Sequence, residues 1–272
     1  MSSSRYSARI ADQTIEQLGL TALPIDPKDI AQKKGIVVQE LPPEFSEFSG
    51  ALSRVGSTFG IMYATNIKSI GRQRFNIAHE LGHYFTPGHV EKLLAKGSHQ
   101  SNGEFQSSVE HEREADDFAA RLLMPTLLCQ KLVDGEAGVG LEVVEHLANT
   151  AQVSLTAASL RYTSLTSNAV AVIVSSREAI EYCFLSDVLR GQMGDIWLPA
   201  GSAVAGMKTM TTSTAIMHAE LKSGNKPHSN DGQTRWCEWF DCTDRSDVYE
   251  QVVNLGSQGK VLTILSADAD HE

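Results

Sequence analysis

The sequence predicts a mixed α+β protein. Between residues 50 and 64, two β-prone runs flank Gly56-Ser57, which is a hairpin signal. Residues 126–165 have apolar side chains at helical spacing, and short strand-like runs return beyond residue 168, such as 169–174 and 261–265. We therefore predict three domains, at residues 1–125, 126–166 and 167–272, of which the second is helical and the third is α/β.

The first segment is predicted to begin with two helices and a strand. Apolar spacing indicates a helix over residues 4–19. Asp26 before Pro27 is typical of a capped helix start, and Gly35 is typical of a helix end. A strand is expected at residues 36–38, and the hairpin after it predicts a small antiparallel sheet.

Two longer helices are predicted beyond the hairpin. Residues 69–85 carry an apolar stripe that stops at Pro87-Gly88, and another helix is expected at about 109–124, before Pro125. The intervening residues 86–108 are rich in Gly, Ser, His and Asn, so we predict a surface loop there.

Composition and charge weigh against several classes of function. The 272 residues include 33 acidic and 23 basic ones, and the net charge of −10 opposes attraction to nucleic acid and to anionic membranes. The four cysteines form no Cys-x-x-Cys pair and are interpreted as free thiols. No signal peptide or membrane-spanning run is recognised, so we expect a soluble, cytoplasmic protein with no membrane partner.

The run His79-Glu80-Leu81-Gly82-His83 carries the strongest chemical signal. Side chains four residues apart lie on one face of a helix, so His79 and His83 can bind the same metal ion. Glu80 is placed to contact a water on that ion, as a general base requires. The run predicts half of a zinc site; the alternative interpretation is two histidines on a polar helix face.

A catalytic zinc ion needs a third protein ligand, and two candidates lie downstream. Glu112 on the next helix would complete the site, and Asp116, one turn later, could orient a ligand imidazole. His89 matches the third histidine of His-Glu-x-x-His-x-x-Gly-x-x-His proteases, but Thr86 stands where that motif has glycine. We prefer Glu112, keep His89 as the alternative third ligand, and interpret Glu114 as a surface charge.

Two segments together resemble the ImmA/IrrE family of metallopeptidases. They are RFNIAHELGHY at residues 74–84 and ExEADxFAAxLLMP at residues 112–125, and the resemblance covers roughly residues 1–165. It implies a gluzincin-like, that is zincin-like, peptidase fold in which the active-site helix lies beside a small sheet. The implied ligands of Zn²⁺ are His79, His83 and Glu112, with Glu80 as the catalytic residue.

The resemblance also implies a partner and further domains. Members of the family cleave helix-turn-helix repressors and so switch on stress responses or mobile-element transfer, which implies a zinc endopeptidase that makes a limited cut in a repressor. Longer members carry a helical, helix-turn-helix-like module and a GAF-like sensor domain, which is expected here at 126–166 and 167–272. No ligand-binding signature is recognised in the last segment, so any small-molecule or redox signal there is unknown.

Several finer predictions concern the chemistry. Tyr63, Tyr84 and His111 are candidates for stabilising the oxyanion. The substrate backbone is expected along an edge strand of the hairpin at residues 50–64. The aromatic residues 236–240 are interpreted as a half-buried core strand.

Two other classes of function stay open. Residues 141–148 and 154–165 have helix-turn-helix spacing, but the second helix carries one basic residue, Arg161, so direct DNA binding is not favoured. The other class is a non-hydrolytic, zinc-containing sensor that sequesters its partner. Such a protein would have no use for Glu80 as a base.

Overall fold

A computed structural model gives the fold of most of the chain. The residues described are 3–41, 48–66, 69–96, 98–101, 109–135, 138–176, 179–194, 198–202, 229–255 and 260–267. They divide into two units, one made of Met1–Cys129 with Ala148–Ser154 and the other of Gln130–Leu147 with Leu155–Glu272. The mixed α+β class is confirmed. The three-domain division stays a prediction.

The first unit contains five helices and four strands among the described residues. The helices are α1 (Ser3–Gln17), α2 (Pro27–Lys33), α3 (Ile70–Phe85), α4 (His89–Leu93) and α5 (Glu110–Leu123). The strands are β1 (Val37–Leu41), β2 (Gly50–Val55), β3 (Thr58–Ala64) and β4 (Ser98–Ser101). The local signals explain the early boundaries: Asp26 caps α2 by accepting a hydrogen bond from Lys28 N at 2.9 Å.

The sheet of this unit differs from the prediction in two ways. Its strand order is β1-β3-β2-β4, and β1 pairs parallel with β3 while the other pairs are antiparallel. The hairpin strands β2 and β3 are therefore both interior, so the prediction that one of them offers an edge to a substrate is wrong. Residues 86–108 are also more than a loop, since α4, a 3-10 turn at Leu94–Lys96 and the edge strand β4 lie within them.

Helix α3 lies at the centre of the first unit, where it packs against β2, β3 and α5. Ile77, Ala78 and Leu81 point into a core shared with Leu52 and Phe118. Helix α1 covers α5 and is tied to it by Arg121, whose Nε and Nη2 donate to the two Asp12 oxygens at 2.7 Å each. The apolar stripe of α3 thus fixes which of its faces is left for polar side chains.

Three helices follow α5. They are α6 (Thr126–Val133), α7 (Leu141–Ala151) and α8 (Leu155–Thr163), and Gln152 between α7 and α8 has a φ of 54°. The helical nature of this segment agrees with the sequence. Its interpretation as a helix-turn-helix-like module stays a prediction.

The last part of the chain forms a five-stranded antiparallel sheet in the order β6-β5-β9-β8-β7. Its elements are β5 (Val170–Ser175), β6 (Ile180–Leu185), α9 (Asp187–Met193), β7 (Ser229–Arg235), α10 (Trp236–Trp239), β8 (Asp247–Asn254) and β9 (Val261–Ala267). The strand predicted at 236–240 is wrong, since a helical turn occupies most of it. Trp236, Trp239 and Phe240 are nevertheless buried in the core, as interpreted. The GAF-like assignment stays a prediction.

None of the helices in the described part of the chain combines the length and the apolar character needed to cross a membrane.

Candidate metal centre

The His-Glu-x-x-His run lies on α3. Ser69 caps this helix by accepting a hydrogen bond from Arg72 N at 3.4 Å. His79 and His83 project from one face, and their Nε2 atoms lie 3.1 Å apart. Both residues are buried, with exposed fractions of 6% and 0% for the whole residue. Two ring nitrogens this close need a proton or a cation between them, because each neutral imidazole carries one lone pair.

Helix α5 brings a carboxylate to the same point because it crosses α3 closely. A Cβ atom at Gly82 would lie 3.0 Å from the Cα and the carbonyl oxygen of Ala115, so a glycine is needed at this crossing. Glu112 precedes Ala115 by one turn. Its Oε2 lies 3.3 Å from His79 Nε2, and its Oε1 lies 3.4 Å from His83 Nε2.

These three side chains fit a zinc ion. Bonds of about 2.0–2.1 Å at tetrahedral angles place neighbouring donor atoms about 3.3 Å apart. Here the two Nε2 atoms are 3.1 Å apart, and the two Glu112 oxygens lie 3.3 Å (Oε2) and 3.4 Å (Oε1) from His79 and His83, respectively. Two imidazoles and one carboxylate leave the fourth tetrahedral position open, as in catalytic zinc sites. The structure thus brings together His79, His83 and Glu112 as a group able to hold a metal.

The other ring nitrogen of each histidine has a partner. His79 Nδ1 lies 2.8 Å from Asp116 Oδ1. His83 Nδ1 lies 3.2 Å from His89 Nδ1, and His89 Nε2 lies 2.9 Å from Glu114 Oε2. When Nδ1 donates to such a partner, the lone pair that a metal needs is on Nε2. Glu114, which the sequence suggested to be a surface charge, is therefore part of this network.

In the metal-free protein, the pKa values of the three candidate ligands are shifted in different directions. Burial lowers the pKa of His79, but hydrogen bonds to Asp116 and Glu112 outweigh burial and raise that pKa to about 10. Burial lowers the pKa of His83 to about 3. Burial alone would raise the pKa of Glu112, but hydrogen bonds with the surrounding imidazoles hold it well below its ordinary value. An arriving cation meets an ionised carboxylate and a neutral His83, and it displaces a proton from His79.

Glu80 is fully buried, and neither of its carboxylate oxygens has a hydrogen-bond partner in the described part of the chain. Burial raises the pKa of Glu80 to about 7, although the charge of His79 and the nearby Ser101 hydroxyl lower it. Room for this side chain is left by Gly50 on β2, where a Cβ atom would lie 2.7 Å from Oε1. The fold therefore keeps a carboxylate unpaired directly beside the first histidine.

A hydrogen bond from α3 fixes the strand that borders Glu80. Asn76 Nδ2 donates to the carbonyl oxygen of Ser49 at 2.9 Å, and Ser49 Oγ donates to the carbonyl oxygen of Ser101 at 2.9 Å. Gly50, next to Ser49, is held at a fixed distance from the helix in this way. Neither Asn76 nor Gly50 was singled out from the sequence. Each acts on the other element, since Asn76 on α3 contacts the strand and Gly50 on the strand leaves room for a side chain of α3, and the two elements are far apart in the chain.

The three residues considered for stabilising the oxyanion lie in different surroundings. Tyr63 Oη accepts from Lys28 Nζ at 2.8 Å, and the Tyr84 ring packs edge-on against Phe59 with a centroid distance of 5.1 Å. By contrast, His111 lies next to a candidate metal ligand, since its Nε2 is 3.4 Å from Glu112 Oε1.

His99 also joins the cluster, although it was not among the site residues predicted from the sequence. Strand β4 carries His99 opposite Leu52 of β2, and its Nε2 lies 2.9 Å from Glu112 Oε1. The only sequence signal was a histidine in a segment with no strand pattern, so only the fold identifies its neighbour.

A helix with the His-Glu-x-x-His run, joined by a glutamate from a second helix, has the side-chain set of metallopeptidases with two histidines and one glutamate as zinc ligands. The sequence model of peptidase family M78, described as the IrrE N-terminal-like domain, matches residues 31–163. Residues 31–163 of the chain therefore belong to this family. The resemblance recognised in the sequence is thereby confirmed.

Among solved structures, a Mycobacterium tuberculosis transcriptional regulator is similar to this chain. The similarity has a TM-score of 0.52 at 13% identity, and it covers 98% of this chain and 76% of that one. At this identity the likeness concerns the fold alone. The comparison with curated proteins found no match.

Proposed function

We propose that the chain is a zinc-dependent endopeptidase that makes a limited cut in a transcriptional repressor. The observation that carries the proposal is the triangle of donor atoms from His79, His83 and Glu112, next to the buried and unpaired carboxylate of Glu80. Family membership supports peptidase chemistry. The similarity in fold to a transcriptional regulator supports a role in transcription.

Each residue of the site has a separate role in this proposal. A zinc ion held by the three ligands would polarise the scissile carbonyl and lower the pKa of a bound water. Glu80 accepts the proton of the attacking water and returns it to the leaving amine. Its lack of hydrogen bonds keeps the carboxylate oxygens available for that transfer.

The contacts around His83 favour Glu112 over His89 as the third ligand. His89 approaches the Nδ1 side of His83, whereas the Nε2 side faces His79 and Glu112. We infer that His89, held by Glu114 at 2.9 Å, orients His83. Asp116 does the same for His79. Ligand histidines in zinc sites commonly donate their second N–H in this manner.

The substrate backbone is proposed to pair with β4, which is an edge strand of the described sheet. The carbonyl oxygen of Ser101 accepts from Ser49 N at 3.0 Å, so the polar backbone groups of Ser101 face inward. Those of Gln100 then face outward, because they alternate along a strand. A peptide added there would lie beside His99, close to the metal ligands.

The proposed substrate class is a transcriptional repressor. A regulatory peptidase has to recognise such a substrate as a folded or partly folded protein. An added strand supplies main-chain hydrogen bonds without sequence demands, so specificity has to come from surfaces outside the site. We propose that the predicted helical module and the predicted C-terminal sensor domain supply this recognition and its control. The stress or mobile-element setting follows from the family resemblance alone.

The alternative is a regulator that binds its partner without cutting it, either as a zinc-containing sensor or on DNA. Helices α7 and α8, joined by a short turn, are the observation that favours a DNA-binding role. However, Arg161 is the basic residue of α8, and the chain carries a net charge of −10. Direct DNA binding is therefore the weaker candidate.

The test compares protein N-termini in cells that express the wild type or Glu80→Gln, with and without stress. Glu145→Gln, which changes an exposed carboxylate on α7, is the matched control. We expect fragments of one transcriptional repressor with the wild type and with the control, and none with Glu80→Gln. If zinc is bound in all three proteins and no fragment depends on Glu80, the chain is a non-hydrolytic regulator.

A further inference from the structure

We propose that His99, His111 and Glu112 form a second divalent-metal subsite, which shares the Glu112 carboxylate with the first. The ion it would take is zinc or another transition metal that binds imidazole and carboxylate. This inference goes beyond the peptidase proposal, since a single zinc ion suffices for that chemistry.

The three side chains come from two elements that meet at one oxygen atom. His99 lies on the edge strand β4, and His111 lies in the first turn of α5 next to Glu112. The Nε2 atoms of His99 and His111 lie 2.9 and 3.4 Å from Glu112 Oε1. One ligand atom from each of the three residues falls within 4.8 Å of the other two.

Two imidazoles from outside the first site converge on this oxygen atom. The Nε2 atoms of His99 and His111 both face Glu112 Oε1, whereas the Nε2 atom of His83 is assigned to the first ion. A cation between His99, His111 and Oε1 would take both ring nitrogens as lone-pair donors.

The arrangement matches a bridged pair of metal ions. Oε2 of Glu112 lies 3.3 Å from His79 Nε2, whereas Oε1 lies 2.9 Å from His99 Nε2 and 3.4 Å from His83 Nε2. A bridging carboxylate would give Oε2 to the first ion and Oε1 to the second, and two-metal sites in hydrolases have their ions about 3.5–4 Å apart. The side chains of His99 and His111 are each 17% exposed, compared with 8% and 0% for His79 and His83. We therefore expect the second ion to bind more weakly and to exchange faster than the first.

The experiment counts metal ions on the full-length, untagged chain. The protein is stripped with a chelator and dialysed against Co²⁺ or Zn²⁺, and the bound metal is measured by mass spectrometry. We expect two equivalents on the wild type, one on His99→Asn/His111→Asn and one on His79→Asn/His83→Asn. Asparagine keeps a polar side chain at each position, and circular dichroism checks the fold of each variant. His146→Asn, an exposed histidine on α7, is the control and should retain two equivalents.

Spectroscopy on the wild type gives a second measurement that needs no variant. With two equivalents of Co²⁺ we expect magnetic coupling in the electron paramagnetic resonance spectrum and metal–metal scattering at about 3.5–4 Å in X-ray absorption. A wild type that saturates at one equivalent overturns the proposal, as does a second equivalent that persists in His99→Asn/His111→Asn or is lost in His146→Asn. Those results leave the peptidase proposal intact, because that proposal requires only the equivalent removed by His79→Asn/His83→Asn.

Discussion

Replacing Glu80 by glutamine is expected to stabilise the metal-free protein at alkaline pH. The carboxyl group is fully buried and has no hydrogen-bond partner in the described residues, and burial raises its pKa from 4.5 to about 7. Below pH 4.5 the group is protonated in the folded and the unfolded chain, so it carries no charge penalty. Between pH 4.5 and about 7 the unfolded chain is ionised while the folded group still holds its proton, so stability falls over this range and stays at the lower level above it.

The size of the effect follows from the shift in pKa. Each pH unit between the two pKa values corresponds to about 1.4 kcal/mol. The shift from 4.5 to about 7 then gives a penalty of about 1 kcal/mol at pH 5 and about 3 kcal/mol at pH 8. Glutamine is neutral at both pH values and has almost the same shape. The stability gained by Glu80→Gln should therefore grow by about 2 kcal/mol between pH 5 and pH 8.

Urea unfolding followed by far-UV circular dichroism, with a chelator present, measures this gain. Comparing the variant with the wild type at each pH cancels the titration of the other groups to first order, and Glu145→Gln provides an exposed control. An equal free-energy difference at pH 5 and pH 8 would refute the reasoning, since it would mean that Glu80 is not held in an unfavourable environment.

Three further predictions concern the ligand network, the helix crossing and the strand edge. His89→Ala should weaken zinc binding about 10- to 100-fold in chelator competition by releasing His83, and an unchanged affinity would assign His89 no orienting role. Gly82→Ala should lower the free energy of unfolding by about 1–3 kcal/mol because the new methyl group meets Ala115, whereas an uncrowded helix would gain about 1 kcal/mol from alanine. Gln100→Pro should abolish cleavage with full zinc content, and undiminished cleavage would reject β4 as the substrate edge.

The parts of the site that were predicted from the sequence depend on local spacing. His79 and His83 meet because a helix places residues four apart on one face, and the apolar stripe of α3 shows which face is buried. Glu112 and Asp116 were paired by the same argument on α5. The helix caps and the hairpin at 50–64 likewise follow from short-range rules, so they agree with the structure.

The parts that were missed depend on pairing between distant strands. β4 has four residues and no alternating pattern, so only its pairing with β2 makes it a strand and brings His99 to Glu112. The role of Gly50 likewise depends on α3, which follows it in the chain. At residues 236–240 the aromatic alternation suggested a strand, but a run this short fits a helical turn equally well.

The side chains of both metal subsites and their orienting partners lie between His79 and Asp116. During synthesis, this stretch is complete before any residue of the C-terminal sheet has been made. The ends of so short a stretch also meet at little entropic cost, so metal capture does not have to wait for the rest of the chain. A nascent chain could therefore carry its metal before its C-terminal sheet exists, and any control exerted by that sheet would have to act on a centre that is already assembled.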